Sequence, residues 1–237
     1  TLFFSATMPK DIADLAEQML RDPARVAVTP VSSTVERINQ RVIQLDHSAK
    51  PAALAQILKD EKVNQALVFT RTKHGANRLA EQLTQDGIEA DAIHGNKSQN
   101  ARTRALKSFK DSELRVLVAT DIAARGLDIE GLPHVVNYDL PNVSEDYVHR
   151  IGRTGRAGSE GQAVALVCGE ERELFADIEK LMKRKVERQV VPGFEPGPGY
   201  ESARFDIDQA RGRHEPRDNR RGQHNGGRRD SDRKDVG

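Results

Sequence analysis

The sequence predicts an α/β fold organised as a doubly wound parallel sheet. Three observations carry that expectation. Short, almost wholly apolar runs, ALVF at 66–69 and VLVA at 116–119, read as strands covered on both faces, as parallel sheets require. These runs alternate with segments whose apolar residues recur at helical spacing, joined by short links, which is the signature of successive βαβ units. Segments rich in hydroxyls, glycine and charge follow directly on strands, at Ser5–Thr7, Thr70–Thr72 and Thr120–Asp128. In such sheets ligands sit beyond the carboxyl ends of the strands.

Taken in order, LFFSAT (2–7) reads as a buried strand emptying into a loop. Met8 to Leu20 follows as a helix with Ile12, Leu15, Ala16, Met19 and Leu20 on one face; Pro9 suits its first turn and Thr7 its cap. Residues 25–29 (RVAVT) form a short strand, and 31–36 (VSSTVE) lack periodicity and read as a linker. The repeated strand–helix pattern begins at INQRVIQL (38–45) and continues through a helix at 50–59, a strand at 66–70 and a helix at 75–86 stopped by Gly87. A strand and turn at 89–95, a helix at 99–109, and strands at 115–120 and 134–140 come next. A short helix at 144–151, a strand at 161–168 and a helix at 170–183 complete the pattern.

Composition sets limits on function. Apolar residues make up 37% and charged residues 31% of 237 positions, so a globular part with a polar appendage is expected. The single cysteine, Cys168, sits in the apolar run AVALVC and reads as a small buried hydrophobe in a reducing, cytoplasmic setting. One cysteine excludes a disulfide framework and a cysteine-rich zinc site. No apolar run approaches the length of a membrane span. The sequence starts with neither methionine nor a leader, so it reads as beginning in mid-fold.

After Val190 the character changes. Residues 192–206 carry three prolines and three glycines. Between 211 and 229 seven arginines face two acids, Glu215 and Asp218, a local balance of +5. With nothing to bury, 191–237 is expected to be a disordered Arg/Gly-rich tail. It suits loose phosphate-backbone binding or simple solubilisation.

The densest chemistry lies at 147–158, YVHRIGRTGRAG, with Arg150, Arg153 and Arg156 spaced by three and glycines between them. Guanidinium forks match phosphate oxygens, and glycine lets a ligand approach the backbone. A solvated basic helix face is the alternative. Asp128 is a candidate turn cap, and Thr7 a candidate N-cap.

FFSATMP (3–9), VFTRT (68–72), HGNKSQNAR (94–102), VLVATDIAARGLDI (116–129), VVNYDLP (135–141) and YVHRIGRTGRAG (147–158) together resemble the DEAD-box RNA helicases, in that family's order and spacing. The tail and the wording of 94–102 look most like the bacterial RhlE-type branch. The resemblance implies a two-lobed, RNA-stimulated ATPase in which each lobe is a RecA-like sheet. ATP and RNA would bind across the cleft between the lobes. On this resemblance, 1–30 ends the first lobe, 31–36 links the lobes, and 37–190 is the second RecA-like lobe. The sequence contains neither GxxxxGK[ST] nor a DEAD tetrapeptide. The chain alone is therefore expected not to hydrolyse ATP, because the phosphate cradle and Mg2+ ligands would lie upstream.

The same resemblance assigns roles. Ser5 and Thr7 belong to the SAT motif linking hydrolysis to unwinding. Arg153 and Arg156 are arginine fingers, with His149 and Arg150 as interlobe contacts beside them. Asp128 is assigned to the ATP ribose, and Asp121 and Arg125 to the nucleotide or its loop. Thr70, Arg71, Gln99, Arg102, Thr120 and Gly126 are assigned to RNA, while His94 and Gly95 shape a turn. Because these are hydroxyls, a glycine and arginines, and aromatics are only 4%, binding is expected to be sequence-independent, salt-sensitive and selective for RNA. Single-stranded or duplex RNA and ATP are the expected partners, with ribonucleoprotein partners through the tail and no membrane. A non-catalytic RNA-binding module and a DNA helicase of the wider superfamily are the alternatives.

Overall fold

The computed structural model describes residues 1–5, 8, 10–26, 38–60, 63–127, 129, 131–155 and 160–201. Thr7, the linker at 31–36, Asp128, Arg156 and the sequence after 201 lie outside the described residues.

A helix, α1 (Lys10–Met19), precedes the sheet. The sheet then builds as β1 (Ile38–Gln44), α2 (Lys50–Asp60), β2 (Ala66–Phe69), α3 (Lys73–Gln85), β3 (Ala90–Ile93) and α4 (Gln99–Lys110). It continues through β4 (Val116–Ala119), α5 (Asp121–Ala124), β5 (His134–Asn137), α6 (Ser144–Ile151), β6 (Gly161–Val167), α7 (Arg172–Met182) and β7 (Glu187–Gln189). The seven strands stand in the order β3-β4-β2-β5-β6-β1-β7, and every neighbouring pair is parallel. The predicted doubly wound parallel sheet is what the structure contains.

Strand alternation sorts side chains between two faces. Ala66, Val68, Val116 and Val118 pack with Leu54, Leu58, Leu79 and Leu83 of α2 and α3. Their neighbours Leu67, Phe69, Leu117 and Ala119 point the other way, against Ala105 and Phe109 of α4 and Ala123 and Ala124 of α5. Further along that second face, Ala163, Ala165 and Val167 meet Tyr147 and Ile151 of α6 and Phe175 and Ile178 of α7. Covering both faces explains why the central strands carry no polar alternation: all four residues of β2 and of β4 are buried.

Three expectations are corrected. Residues 2–5 form no strand, and Leu2 and Phe4 are 83% and 86% exposed. An apolar run becomes a strand only with a neighbour to pair with, and no described strand pairs with this one. Likewise, Arg25 and Val26 of the expected strand at 25–29 lie in no element, and Val26 is exposed. Third, the expected disordered tail is ordered over 191–201. Val191 and Phe194 pack on the first core, and the Gly197 amide donates to the Asp46 carboxylate at 3.1 Å. Tyr200 is buried, its hydroxyl donating to the Val167 carbonyl at 3.4 Å. Arg172 lies 5.5 Å from the Tyr200 ring and pairs with Glu201. Proline and glycine content pointed to disorder from 191 on, yet Val191, Phe194 and the buried Tyr200 tie the 191–201 strap down. Tyr200→Ala should lower stability by about 3–5 kcal/mol, the range for deleting a buried aromatic ring. Urea unfolding of this chain reads that loss; an unchanged midpoint would show that the strap adds nothing.

Candidate functional site

The carboxyl ends of β3, β4 and β2 are adjacent and carry the loops assigned to nucleic acid. Thr120 follows β4 and its amide bonds the Ile93 carbonyl, so the loops after β3 and β4 touch. Ser98 caps α4, accepting from the Ala101 amide at 3.3 Å. That sets Gln99 and Arg102 on the first turn, where Arg102 donates to the Gln99 amide oxygen at 3.2 Å. The Arg102 Nε is buried with no hydrogen-bond partner among the described residues. Gly126 has φ +75°, a left-handed conformation that β-carbon-bearing residues adopt at a cost. His94 is buried, its ring bonding Asn77 at 2.9 Å, and burial with nearby Lys97 pushes its pKa down. It shapes the turn, as expected.

Thr70 and Arg71 are less exposed than their assignment suggests. Thr70 is buried and its hydroxyl donates to the Thr72 carbonyl at 3.3 Å. The Arg71 guanidinium donates to the Leu140 carbonyl and to Glu171 Oε1 at 2.8 Å, and its amide donates to Asp139 at 2.9 Å.

Among the described residues Arg150 is the largest fully buried side chain, at 2% exposure. It grips Asp121 through two bonds of 2.6 and 2.7 Å and donates to Asn137 Oδ1 and the Asp139 carbonyl. Its guanidinium stacks 5.0 Å from the Phe69 ring. The resemblance makes Arg150 an interlobe contact and Asp121 a nucleotide-side residue. In the structure they pair with one another inside the lobe. Arg125 is ion-paired with Asp146 at 2.6 Å, and His149 Nδ1 lies 3.8 Å from the same carboxylate with its side chain about two-fifths exposed.

Arg153 leaves the end of α6. Its guanidinium donates to the Leu127 carbonyl at 3.2 Å, while its own carbonyl accepts from the Leu132 amide. Next to it, Thr154 bonds the Leu132 carbonyl and forms a parallel bridge to Leu132. A β-carbon at Gly161 would collide with Gly155 and Thr154, so glycine there lets this segment lie against the start of β6. Arg153 is thereby fixed to the loop that carries Asp128, though Asp128 and Arg156 are outside the described residues. Ser5 is exposed in no element. Two concavities of about 310 and 670 Å³ lie elsewhere, beside α3–β3 and beneath Tyr200, and neither includes Arg153, Thr120 or Arg102.

Sequence reasoning missed the ionic group joining these loops: Lys50, Asp139 and Glu171. Lys50 is wholly buried, with its ammonium 2.5 Å from Glu171 Oε2 and 2.7 Å from the Tyr138 carbonyl. Burial alone opposes both charges. Lys50 and then Arg71 outweigh burial to hold the Glu171 carboxyl below its usual range, and Glu171 with Asp139 holds Lys50 above its own. A lysine in the first turn of a helix opposes the helix dipole, and that was the available signal.

The helicase conserved C-terminal domain profile matches residues 49–158, so the parallel sheet with its arginine-bearing α6 is a helicase C-terminal lobe. The chain belongs to the DEAD-box protein family. It is 34% identical to Escherichia coli SrmB in a crystal structure bound to RraA, covering 67% of this chain and 94% of that one with a TM-score of 0.64. It is 44% identical to the DEAD-box ATP-dependent RNA helicase CshA of Bacillus subtilis over 192 residues, 81% of this chain and 39% of CshA. Yeast Dbp5 bound to RNA and ADP BeF3 superposes with a TM-score of 0.70 at 27% identity, over 84% of this chain and 52% of that one. The chain thus spans about two-fifths of the length of the curated relative. Among the described residues, no helix is long and apolar enough to cross a membrane.

Proposed function

We propose that this chain is the moving half of an ATP-dependent RNA helicase, contributing arginines to a nucleotide whose phosphate cradle belongs to a preceding lobe. The observation that carries the reading is Arg153 bonded to the Leu127 carbonyl, one residue from Asp128. A guanidinium for the γ-phosphate and a carboxylate for the ribose would then arrive together when the cleft closes. Arg156 is assigned beside Arg153 on the motif alone.

ATP with Mg2+ is the proposed substrate. Among the described residues no cluster of acidic, histidine or cysteine side chains could hold a metal. Magnesium is assigned to the acidic motif that this sequence does not contain. By itself this chain should turn over no ATP. Ser5 and Thr7 are assigned to coupling between lobes, Asp121 and Arg125 to the shape of the nucleotide-side loop, and His149 to the lobe interface.

RNA would lie along the ledge of Gln99, Arg102, Thr120 and Gly126, with Thr70 and Arg71 beneath it. Local strand separation would follow from gripping one strand by phosphate and sugar. The wording of 94–102 supports placement in the RhlE-type branch, and the basic residues after 201 support a second, loose RNA grip that could also hold ribonucleoprotein partners. The fold and composition fit a cytoplasmic protein.

Fluorescence anisotropy of this chain with single-stranded RNA and DNA of one sequence, at 50 and 200 mM salt, tests the ledge. RNA should bind tighter than DNA, and affinity should fall at least tenfold across the salt range, since several phosphate contacts lose about 10³ or more over it. Equal binding of both polymers would favour the DNA helicase reading. A non-catalytic RNA-binding module predicts the same titrations but no loss of turnover in arginine variants of a longer chain.

A further inference from the structure

We infer that Glu171 is a positioning residue for the RNA ledge, acting through Arg71. This rests on the RNA reading of that edge. One buried carboxylate gathers chain from the carboxyl ends of four strands. Oε1 accepts from Arg71, after β2, at 2.8 Å and from the Leu140 amide, after β5, at 3.1 Å. Oε2 accepts from Lys50, which opens α2 after β1, at 2.5 Å and from the Cys168 amide, after β6, at 3.4 Å. Asp139 closes the group by accepting from the Arg71 amide and lying 3.9 Å from the Lys50 ammonium.

The Arg71 side chain is about one-quarter exposed and Glu171 is 4% exposed, so the anchor is beneath the surface and the anchored residue reaches it. Lys50 balances the Glu171 charge from below, which lets the carboxylate stay ionised while it orients Arg71 from the side. A buried carboxylate this heavily bonded costs folding energy to desolvate, and an apolar core would serve stability as well. Its geometry instead fixes where Arg71 stands relative to the chain after β5 and β6, while the Thr70 amide, donating to the Ala119 carbonyl, ties the same turn to the end of β4.

The test separates positioning from stability. The full chain is crosslinked by ultraviolet light to an oligouridine decamer, and crosslinks are mapped by mass spectrometry to ledge peptides or to the tail. Glu171→Gln should cut ledge crosslinking about tenfold, on the scale of one hydrogen bond to a charged group, with tail crosslinks unchanged. The double variant Lys50→Met with Glu171→Met should be more stable than Lys50→Met alone, because Glu171 is not left without its cation, though the Leu140 and Cys168 amides it strands keep it below wild type, while ledge crosslinking stays low. Recovery of crosslinking along with stability in the double variant would reduce Glu171 to a structural role. Arg102→Ala is the control: if it leaves ledge crosslinking intact, the RNA reading of the edge fails and the inference with it. If Arg102→Ala lowers crosslinking and both Glu171 variants keep it, only the inference is overturned.

Discussion

Arg153→Ala, in a protein where this chain follows a P-loop lobe, should lower RNA-stimulated ATP turnover by ~10³-fold or more, the range lost with an arginine finger. RNA affinity should stay within about twofold, because the Arg153 side chain is turned to the Leu127 carbonyl and is itself no part of the ledge of Gln99, Arg102, Thr120 and Gly126. The size of the effect follows from where the charge is placed. A guanidinium held by a backbone carbonyl is already oriented, so closure brings a preorganised donor fork to the developing phosphate charge. Arg153→Lys should recover little, since a point charge does not reproduce the planar fork. Steady-state turnover at saturating RNA, read with RNA binding, checks this; turnover within tenfold of wild type would remove Arg153 from the reacting phosphate.

The second large effect is on stability. Arg150→Met should cost the lobe about 3 kcal/mol or more, the penalty for leaving a buried ion pair without one partner. The side chain is 2% exposed, and its loss strands Asp121, Asn137 Oδ1 and the Asp139 carbonyl together. Asp121 stays one-quarter exposed, so water relieves part of the penalty and keeps it at the low end. Arg150→Lys should recover only part of it, because one ammonium cannot make the paired bonds to Asp121 and also reach Asn137. Urea unfolding monitored by circular dichroism gives the number. A midpoint equal to wild type would show that the buried network is energetically neutral.

The contrast between these two arginines marks how far the sequence could be read. Both stand in one motif at a spacing of three, and both look like phosphate ligands. Residue spacing gave the helix and its bounds, Ser144–Ile151, because β5 and Gly152 delimit it. It could not say that Arg150 turns inward over Phe69 while Arg153 turns to Leu127, because the first depends on Asp121, which opens α5 after β4, and the second on the loop that follows α5. The central strands were legible because burial on both faces leaves an unbroken apolar run. β7, reading Glu-Arg-Gln, was not, since its place is set by pairing with β1 alone. The apolar stretch at 2–5 shows the converse failure, a strand-like run with no described partner. Lys50 and Glu171 were hidden because their partners are distant in sequence, 121 residues apart.

In the proposed function this lobe completes the transition state for phosphoryl transfer on a nucleotide cradled by another lobe. Trapping of ADP with aluminium fluoride in the presence of RNA measures that complementarity directly, since a transition-state mimic depends on groups that act only at that point. The wild-type two-lobed protein should retain the trapped nucleotide, and Arg153→Ala should bind ADP but fail to trap it. Equal retention of the fluoride complex by both would contradict the claim.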